Sequence, residues 1–331
     1  MDNHSKIVIA GAGSIGCFVG GLLKASGHNV LFLGRRRIVE ITKQYGLKLT
    51  DYTGMSLSVS PEDIKISDDP QILSDADIVL VTVKSSATKD IARLIYENAK
   101  ETAIIVSLQN GVRNAEMLRQ CLPDFDVRAG MVPFNVIQME NGRFHRGTSG
   151  KIVVEFGQPE IANNLNTRHL QTVSSSEMKS ILWGKLLVNL NNALNALSGV
   201  PLVQQLKDKM WRRLLAKQMQ EALEMMQLSG INPKPPSPVP AWLLPHILRL
   251  PTPLFNVVAR QMLAIDPKAR SSMWEDLELG RMTEIDELQG EIIKIAKRKN
   301  RKATVNLDVL TRIKEAEKRN AGSPNIPPWK P

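Results

Sequence analysis

An apolar segment that runs directly into three closely spaced glycines constrains this chain more than any other feature. Residues 6–16 read Lys-Ile-Val-Ile-Ala-Gly-Ala-Gly-Ser-Ile-Gly, residues 17–26 have a helical pattern, and a second apolar run follows at 30–33. In a βαβ unit of this kind the glycines permit a sharp turn, close approach of a pyrophosphate and tight helix packing. The phosphates then lie at a helix N-terminus. The sequence therefore predicts a dinucleotide site formed by six consecutive residues: Gly11, Ala12, Gly13, Ser14, Ile15 and Gly16.

The residues after the second apolar run indicate which dinucleotide binds. Sites for NAD usually carry an acidic residue here, which accepts hydrogen bonds from the adenosine ribose. This chain instead reads Leu33-Gly34-Arg35-Arg36-Arg37. Because a guanidinium binds a ribose 2′-phosphate through charge-assisted hydrogen bonds, the sequence favours NADPH, with Arg35 as the predicted contact. A solvated basic turn is the alternative interpretation.

Further strands and helices alternate through the first half of the chain. Residues 75–83 and 103–108 have the continuous apolar character of buried parallel strands, and residues 87–99 are helical in pattern. This alternation predicts a doubly wound parallel sheet, in which ligands bind beyond the carboxyl ends of the strands. Lys84 and Asn110 each follow a strand, so we expect both to contact the cofactor. An exposed charge and an Asn-Gly turn are their alternative interpretations.

The second half of the chain is helical in pattern. Ser174 to Glu177 resembles a capping box, and helical periodicity follows it. We therefore expect an α/β protein with a Rossmann-type domain over residues 1–173 and an all-helical substrate and catalytic domain over 174–320. The proline-rich residues 232–254 are expected to form a long connector, and the tail over 321–331 is expected to be disordered.

Bulk properties exclude several classes of function. The 331 residues, 43% of them apolar, suffice for two cores. The net charge of +10 is spread along the chain without a recognition motif, so we expect anionic small ligands and no nucleic acid. Neither a membrane-length apolar run nor a secretory leader is visible, which predicts a cytoplasmic protein without a membrane partner. Cys17 and Cys121 form no metal-ligand pattern, and no metal is expected.

A lysine in an apolar helical segment is the candidate proton donor. Reduction of a carbonyl leaves a negatively charged oxygen that requires a donor. Lys185 lies beside Trp183 and Leu186, where poor solvation should lower its pKa, and Asn189 shares its helix face. Further amides follow at Asn191, Asn192 and Asn195. They indicate either a polar cleft or buried hydrogen bonds to neighbouring helices.

Four separated motifs together resemble the ketopantoate reductase family, the 2-dehydropantoate 2-reductases. They are the glycine motif, the Gln109-Asn110-Gly111 turn, the Lys185-Leu-Leu-Val-Asn189 helix, and the Ser271-Ser-Met-Trp-Glu-Asp…Thr283-Glu-Ile-Asp286 segment. The resemblance runs from about residue 6 to residue 317 in the correct order. It implies an enzyme in which NADPH, bound in the cleft between two domains, reduces 2-dehydropantoate to pantoate in pantothenate and coenzyme A biosynthesis.

The resemblance also assigns residue roles. Lys185 corresponds to the family's proton donor, and Glu284 to the acid that contacts the cofactor side and helps to place that lysine. Asn110 corresponds to an amide near both nicotinamide and substrate. Asn189 corresponds to a contact with a substrate hydroxyl, and Ser272 to a contact with the substrate carboxylate.

One departure from the family pattern leaves the substrate open. Ala193 stands where ketopantoate-reducing members often carry a further Asn. Another branched 2-oxo acid is therefore an alternative substrate. A non-catalytic NADPH-binding redox sensor is an alternative of another class, although retention of Lys185 and Glu284 favours catalysis. The apolar residues 242–255 would either reshape the cleft or form a homodimer contact.

Overall fold

The computed structural model describes residues 5–260, 263 and 266–330. The first four residues, which belong to the stretch predicted to lack a leader, and residue 331 of the tail lie outside the described residues, as do 261, 262, 264 and 265. The chain divides into two compact units, residues 1–178 and 179–331. The predicted boundary at residues 173 and 174 falls inside the first unit, because Thr172–Ser175 forms a strand of that unit's sheet rather than the cap of a helix.

The first unit contains β-strands and α-helices. Its strands are β1 (Lys6–Ala10), β2 (Asn29–Leu33), β3 (Leu47–Asp51), β4 (Ser56–Val59), β5 (Lys65–Ser67), β6 (Ile78–Val81), β7 (Ile104–Ser107), β8 (Asp126–Met131), β9 (Val136–Gln138), β10 (Arg143–Arg146), β11 (Ile152–Glu155) and β12 (Thr172–Ser175). Its helices are α1 (Ser14–Ala25), α2 (Arg36–Tyr45), α3 (Thr88–Asn98), α4 (Asn114–Cys121) and α5 (Ala162–Leu165).

The main sheet confirms the predicted doubly wound, Rossmann-type topology. Its eight strands follow the order β12-β11-β8-β7-β6-β1-β2-β5. β1 pairs in parallel with β2 on one side and with β6 on the other. The connections therefore run in opposite directions from β1, and this switch point is where such sheets bind ligands. A second sheet has the order β4-β3-β10-β9.

Alternation of side chains along β1 builds a core on each face of the main sheet. Ile7 and Ile9 belong to a core that also contains Phe18 of α1 and Phe144 of the second sheet. Val8 and Ala10 belong to the core on the opposite face, with residues of α3 and α4. Because both faces are covered, β1 is apolar at almost every position, as expected for a central parallel strand.

The second unit is helical, as predicted. Its helices are α6 (Met178–Asn189), which begins at the boundary, α7 (Asn191–Ser198), α8 (Leu202–Lys207), α9 (Lys209–Leu228), α10 (Leu244–Arg249), α11 (Thr252–Val258), α12 (Ser272–Glu278), α13 (Gln289–Arg298) and α14 (Thr304–Arg319). Helix α9 buries a stripe at helical spacing that includes Trp211, Leu215 and Met219.

The proline-rich residues 232–254 are more regular than a connector. They contain α10 and the start of α11, each with a proline in its first turn, where the missing N–H removes no helical hydrogen bond. Arg212 of α9 fixes these helices. Its fully buried guanidinium donates to the carbonyls of Leu248 and Leu250 and lies 4.3 Å from the centre of the Phe255 ring.

The tail, expected to be disordered, is packed against the second unit over residues 321–330. The Ile326 N–H donates to the Leu197 carbonyl at 3.0 Å, and the Ser323 hydroxyl donates to the Ala196 carbonyl. Trp329 contacts the ring of Trp211 edge to face. These partners lie more than a hundred residues earlier in the chain, so the local Pro-Gly composition did not reveal them.

Candidate functional site

The glycine turn between β1 and α1 is held by hydrogen bonds to its neighbouring strands. The N–H groups of Gly11 and Ala12 both donate to the Leu33 carbonyl at the end of β2, at 3.0 and 2.9 Å. The Thr82 hydroxyl, just beyond β6, donates to the Gly11 carbonyl at 2.6 Å. The turn is therefore hydrogen-bonded on both sides, and Thr82 is a supporting residue that no local sequence pattern indicates.

The three motif glycines differ in their surroundings. Gly11 has a φ of 115°, and a Cβ there would lie 2.6 Å from a methyl group of Val83. A Cβ at Gly16 would lie 2.6 Å from the Thr82 hydroxyl oxygen. Gly13 is exposed, and an added Cβ would meet none of the protein within 4 Å. The first and third glycines thus serve the turn and its packing, while the second leaves open space at the start of α1.

The arginine cluster lies beside this turn. Arg35 is the N-cap residue of α2, and the first turn of α2 contains no acidic residue. A Cβ at Gly34 would lie 2.8 Å from Ala12, so the glycine allows the end of β2 to approach the glycine turn closely. Arg36 pairs with Glu40 at 3.2 Å along the exposed face of the helix. Arg35 and Arg37 are exposed and form no ion pair within the part of the chain that the structure describes.

Lys84 and Asn110 come together at the same edge of the sheet. They follow the adjacent parallel strands β6 and β7, in the turns that lead to α3 and α4. Lys84 is exposed and Asn110 is half-buried. Gly111 has a φ of 93°, which is typical of an Asn-Gly turn, the alternative interpretation of Asn110. The carboxyl edge of the sheet thus carries, in spatial order, the arginine cluster, the glycine turn, Lys84 and Asn110.

In the second unit, Lys185 and Asn189 lie one turn apart on α6. Lys185 is half-buried, its sequence neighbours Trp183 and Leu186 are buried, and burial lowers the pKa of Lys185 to about 8. The direction agrees with the sequence prediction. Asn189 is 6% exposed, and within the described ranges its side chain has no hydrogen-bond partner. A nearly buried amide of this kind is suited to bind a polar group of a ligand.

The amides after α6 mostly bond to neighbouring segments. The Asn195 side chain donates to the Val200 carbonyl and to Gln205, and its oxygen accepts the Ser271 N–H at 2.8 Å. Asn191 also bonds to Gln205. Of the two alternatives left open by the sequence, buried hydrogen bonds between helices describe Asn191 and Asn195.

These bonds place the start of α12 against α7. Ser271 is the N-cap residue of α12, and its hydroxyl donates to the Asn192 carbonyl at 2.9 Å. Ser272, the first residue of the helix, is exposed. A predicted substrate contact is therefore presented at the surface of the second unit, on a helix whose start is fixed to α7.

Glu284 lies before a short 3₁₀ turn at Ile285–Glu287, and is half-buried. The next helix, α13, is anchored at the junction of α6 and α7, because Gln289 Nε2 donates to the Leu190 carbonyl at 3.0 Å. The segment that carries Glu284 is thus connected to the end of the helix that carries Lys185. Burial raises the pKa of the neighbouring Glu287.

No helix among the described residues is both long enough and apolar enough to cross a membrane. The same residues contain no group of three or more His, Cys, Asp or Glu side chains that could hold a metal ion.

Two family models match this chain. The model described as Ketopantoate reductase PanE/ApbA matches residues 7–158. The model described as Ketopantoate reductase PanE/ApbA C terminal matches residues 177–317. The first match includes the glycine turn and Asn110, and the second includes Lys185 and Glu284.

Proteins similar to this chain over nearly its whole length carry related names. The 2-dehydropantoate 2-reductase of Halobacterium salinarum is 25% identical over 88% of this chain and 92% of that protein. That of Pyrococcus horikoshii is 26% identical over 96% of this chain and 99% of that protein. The crystal structure of a PanE/ApbA family ketopantoate reductase from Ralstonia eutropha superposes with a TM-score of 0.80 over 95% of this chain and 99% of that chain. The two sequences are 26% identical.

A ternary structure of D-mandelate dehydrogenase with NADH and anilino(oxo)acetate is also similar, with a TM-score of 0.77 over 95% of this chain and 99% of that one. Its sequence identity is 20%, so this likeness concerns the fold alone.

Proposed function

The chain belongs to the ketopantoate reductase family and is an oxidoreductase, and from this premise we propose that it reduces 2-dehydropantoate to pantoate with NADPH. The observation that carries the proposal is Lys185. A lysine with a pKa of about 8 lies one helical turn from the Asn189 amide, which has no hydrogen-bond partner among the described residues, so a proton donor lies beside a polar contact.

The first unit fits a dinucleotide phosphate. The open side of Gly13 at the start of α1 leaves room for a pyrophosphate near backbone N–H groups. Arg35, Arg36 and Arg37 occupy the N-terminus of α2, where the helix dipole makes cations unfavourable unless an anion binds there. A ribose 2′-phosphate supplies that anion, which favours NADPH over NADH. The NADH-bound D-mandelate dehydrogenase shows that this fold alone does not decide the choice.

When bound, NADPH supplies the hydride for reduction of the ketone. Lys185 then donates a proton from Nζ to the carbonyl oxygen, which gains negative charge as the carbonyl carbon is reduced. A lysine with a pKa of about 8 is protonated near neutral pH, but gives up its proton more readily than a solvated lysine. We assign Glu284 to the placement of Lys185 and to the cofactor side of the reaction.

Polar groups of the second unit fit a small hydroxylated 2-oxo acid. We assign Asn189, which has unused hydrogen-bonding capacity within the described residues, to the substrate hydroxyl. Ser272, exposed at the start of α12, is assigned to the carboxylate. In the first unit, Asn110 is assigned to the nicotinamide and substrate, and Lys84 to the cofactor.

A second candidate substrate follows from Ala193. Its methyl group is fully buried in the helical core, so this position supplies no amide to a ligand. Another branched 2-oxo acid, with fewer polar groups than 2-dehydropantoate, is the substrate class that this difference favours.

The decisive experiment compares 2-oxo acids with different branches and hydroxyl groups by the loss of NADPH absorbance. We expect the highest kcat/KM with 2-dehydropantoate. A higher value for an acid without the hydroxyl would identify the alternative substrate class. Binding of NADPH without oxidation of the cofactor by any of these acids would contradict a reductase of 2-oxo acids.

A further inference from the structure

A cluster of buried polar side chains joins the two turns that carry Lys84 and Asn110. The cluster consists of residues that are at most 7% exposed and that come from β7, α3, α4 and the intervening turns: Ser85, Thr88, Ser107, Gln109 and Asn114. Polar groups are seldom buried together in this way unless they bond to one another, and such fully bonded clusters give a rigid local structure. We call this set the edge network.

Asn114, at the start of α4, bonds to both turns. Its Nδ2 donates to the Ser85 hydroxyl at 2.9 Å and also to the Asn110 carbonyl. Its Oδ1 lies 3.0 Å from the Thr88 hydroxyl. The Asn110 carbonyl accepts a second bond, from the Ser85 hydroxyl at 3.1 Å. One amide side chain therefore connects the turn after β7 with the turn after β6.

Thr88 and Gln109 complete the edge network. The Thr88 hydroxyl lies 2.8 Å from the Ser85 carbonyl and accepts from Gln109 Nε2 at 2.8 Å. The Gln109 side-chain oxygen in turn accepts from the Ser107 hydroxyl at 3.0 Å. Gln109 directly precedes Asn110, and Asn114 follows Asn110 by four residues. The chain is therefore held by side-chain hydrogen bonds on both sides of Asn110.

The order of strands indicates which half of the cofactor meets these turns. Arg35 follows β2, the glycine turn follows β1, and Lys84 and Asn110 follow β6 and β7 on the other side of β1. Adjacent strands are about 4.8 Å apart. If the 2′-phosphate lies at Arg35 and the pyrophosphate at the glycine turn, the extended molecule continues over the edge network with its nicotinamide half.

We propose that Asn114 is a positioning residue for the nicotinamide half of NADPH, because it holds the Lys84 and Asn110 turns as one unit. This inference rests on the proposed cofactor. Asn114 acts through Asn110 and touches neither cofactor nor substrate in this role. Substitution of Asn114 should therefore misplace the nicotinamide ring, while the adenosine half of NADPH remains bound at the arginine cluster.

The test uses Asn114→Ala and Asn114→Asp, the latter replacing two donors by a carboxylate that faces the Asn110 carbonyl. We expect kcat to fall about a hundredfold, since small misplacements of reacting groups have effects of that size, while the Kd for NADPH changes less than about threefold. Asn98→Ala is the matched control. Asn98 ends α3, bonds to the Leu94 carbonyl outside the edge network, and should leave both quantities unchanged.

Two further measurements separate positioning from general stability. In the Asn110→Ala background, Asn114→Ala should lower kcat by much less than about a hundredfold, because the Asn110 side chain that it positions is already absent. If the kcat losses of the two single variants multiply in the double variant, the proposal is overturned. If the Asn114 variants fail to fold, Thr88→Val and Thr88→Ser decide: the valine variant should lose kcat, and the serine variant, which keeps the hydroxyl, should retain it. Equal kcat in both would also overturn it.

A readout without substrate keeps this inference distinct from the proposed function. The fluorescence emission of bound NADPH reports the surroundings of the nicotinamide ring. We expect Asn114→Ala to bind NADPH but to shift the emission toward that of the free cofactor. Unchanged emission at unchanged affinity would refute the role of Asn114 alone. Absence of NADPH binding by the unaltered protein would refute the proposed function and this inference together.

Discussion

The Thr82 hydroxyl donates to the carbonyl of Gly11 at 2.6 Å, and so connects the end of β6 to the glycine turn after β1. The same oxygen occupies the space that a Cβ at Gly16 would need. One side chain therefore fixes the carbonyl of the first motif glycine and packs against the third. This contact crosses the switch point of the sheet, where the pyrophosphate is expected.

Replacement of this hydroxyl should weaken cofactor binding. Thr82→Val keeps the side-chain shape but removes the donor, and the loss of one hydrogen bond should raise the Kd for NADPH about tenfold or less. Titration by fluorescence measures the effect. Thr82→Ser keeps the hydroxyl and should bind nearly as the unaltered protein does. Equal affinities for the valine and serine variants would show that the contact does not support the site.

Cofactor preference should depend on Arg35. Arg35→Ala removes the predicted 2′-phosphate contact, and we expect the Kd for NADPH to rise at least about tenfold while that for NADH hardly changes. Lys43→Ala is the matched control, because Lys43 is exposed in the last turn of α2, at the opposite end of the helix from the arginine cluster. A parallel loss of affinity for both cofactors would place Arg35 away from the 2′-phosphate.

Stability of the second unit should depend on its tail. The Trp329 ring lies 5.9 Å from that of Trp211 and 4.2 Å from the guanidinium of Arg312, and its indole N–H donates to Asp308. Trp329→Ala removes these contacts and should lower the free energy of unfolding by about 2 kcal/mol. Urea denaturation measures the change, with Lys330→Ala as control. An unchanged midpoint for Trp329→Ala would show that the packed tail does not stabilise the fold.

The elements predicted best from the sequence are those set by local pattern. The glycine turn, β1, β2, β6 and β7 follow from continuous apolar runs that end at glycine or polar residues. In contrast, the proline-rich composition around the first turns of α10 and α11 is the same as that of an extended connector. Composition alone therefore does not predict these two helices. The order of the tail depends on contacts between Trp329 and helices earlier in the chain, which no local pattern records.

The same distinction applies to the candidate site. Lys185 and Asn189 could be selected because polar residues at helical spacing stand out in an apolar segment. Thr82 and Asn114 could not, since their importance lies in partners from other elements. The Thr82 hydroxyl bonds to a carbonyl 71 residues away, and Asn114 bonds to Ser85 across 29 residues. Residues that support a site through hydrogen bonds to distant parts of the chain can be identified only from the three-dimensional structure.

Proton transfer by Lys185 should appear in the pH dependence of reduction. Because only the protonated amine donates, and burial lowers its pKa to about 8, kcat should fall as the pH rises through that value. Lys185→Ala should lower kcat about a hundredfold or more and abolish this limb of the profile, with NADPH affinity preserved. Lys179→Ala, at an exposed position on the same helix, is the control. A profile with the same alkaline limb in Lys185→Ala would assign the proton to another group.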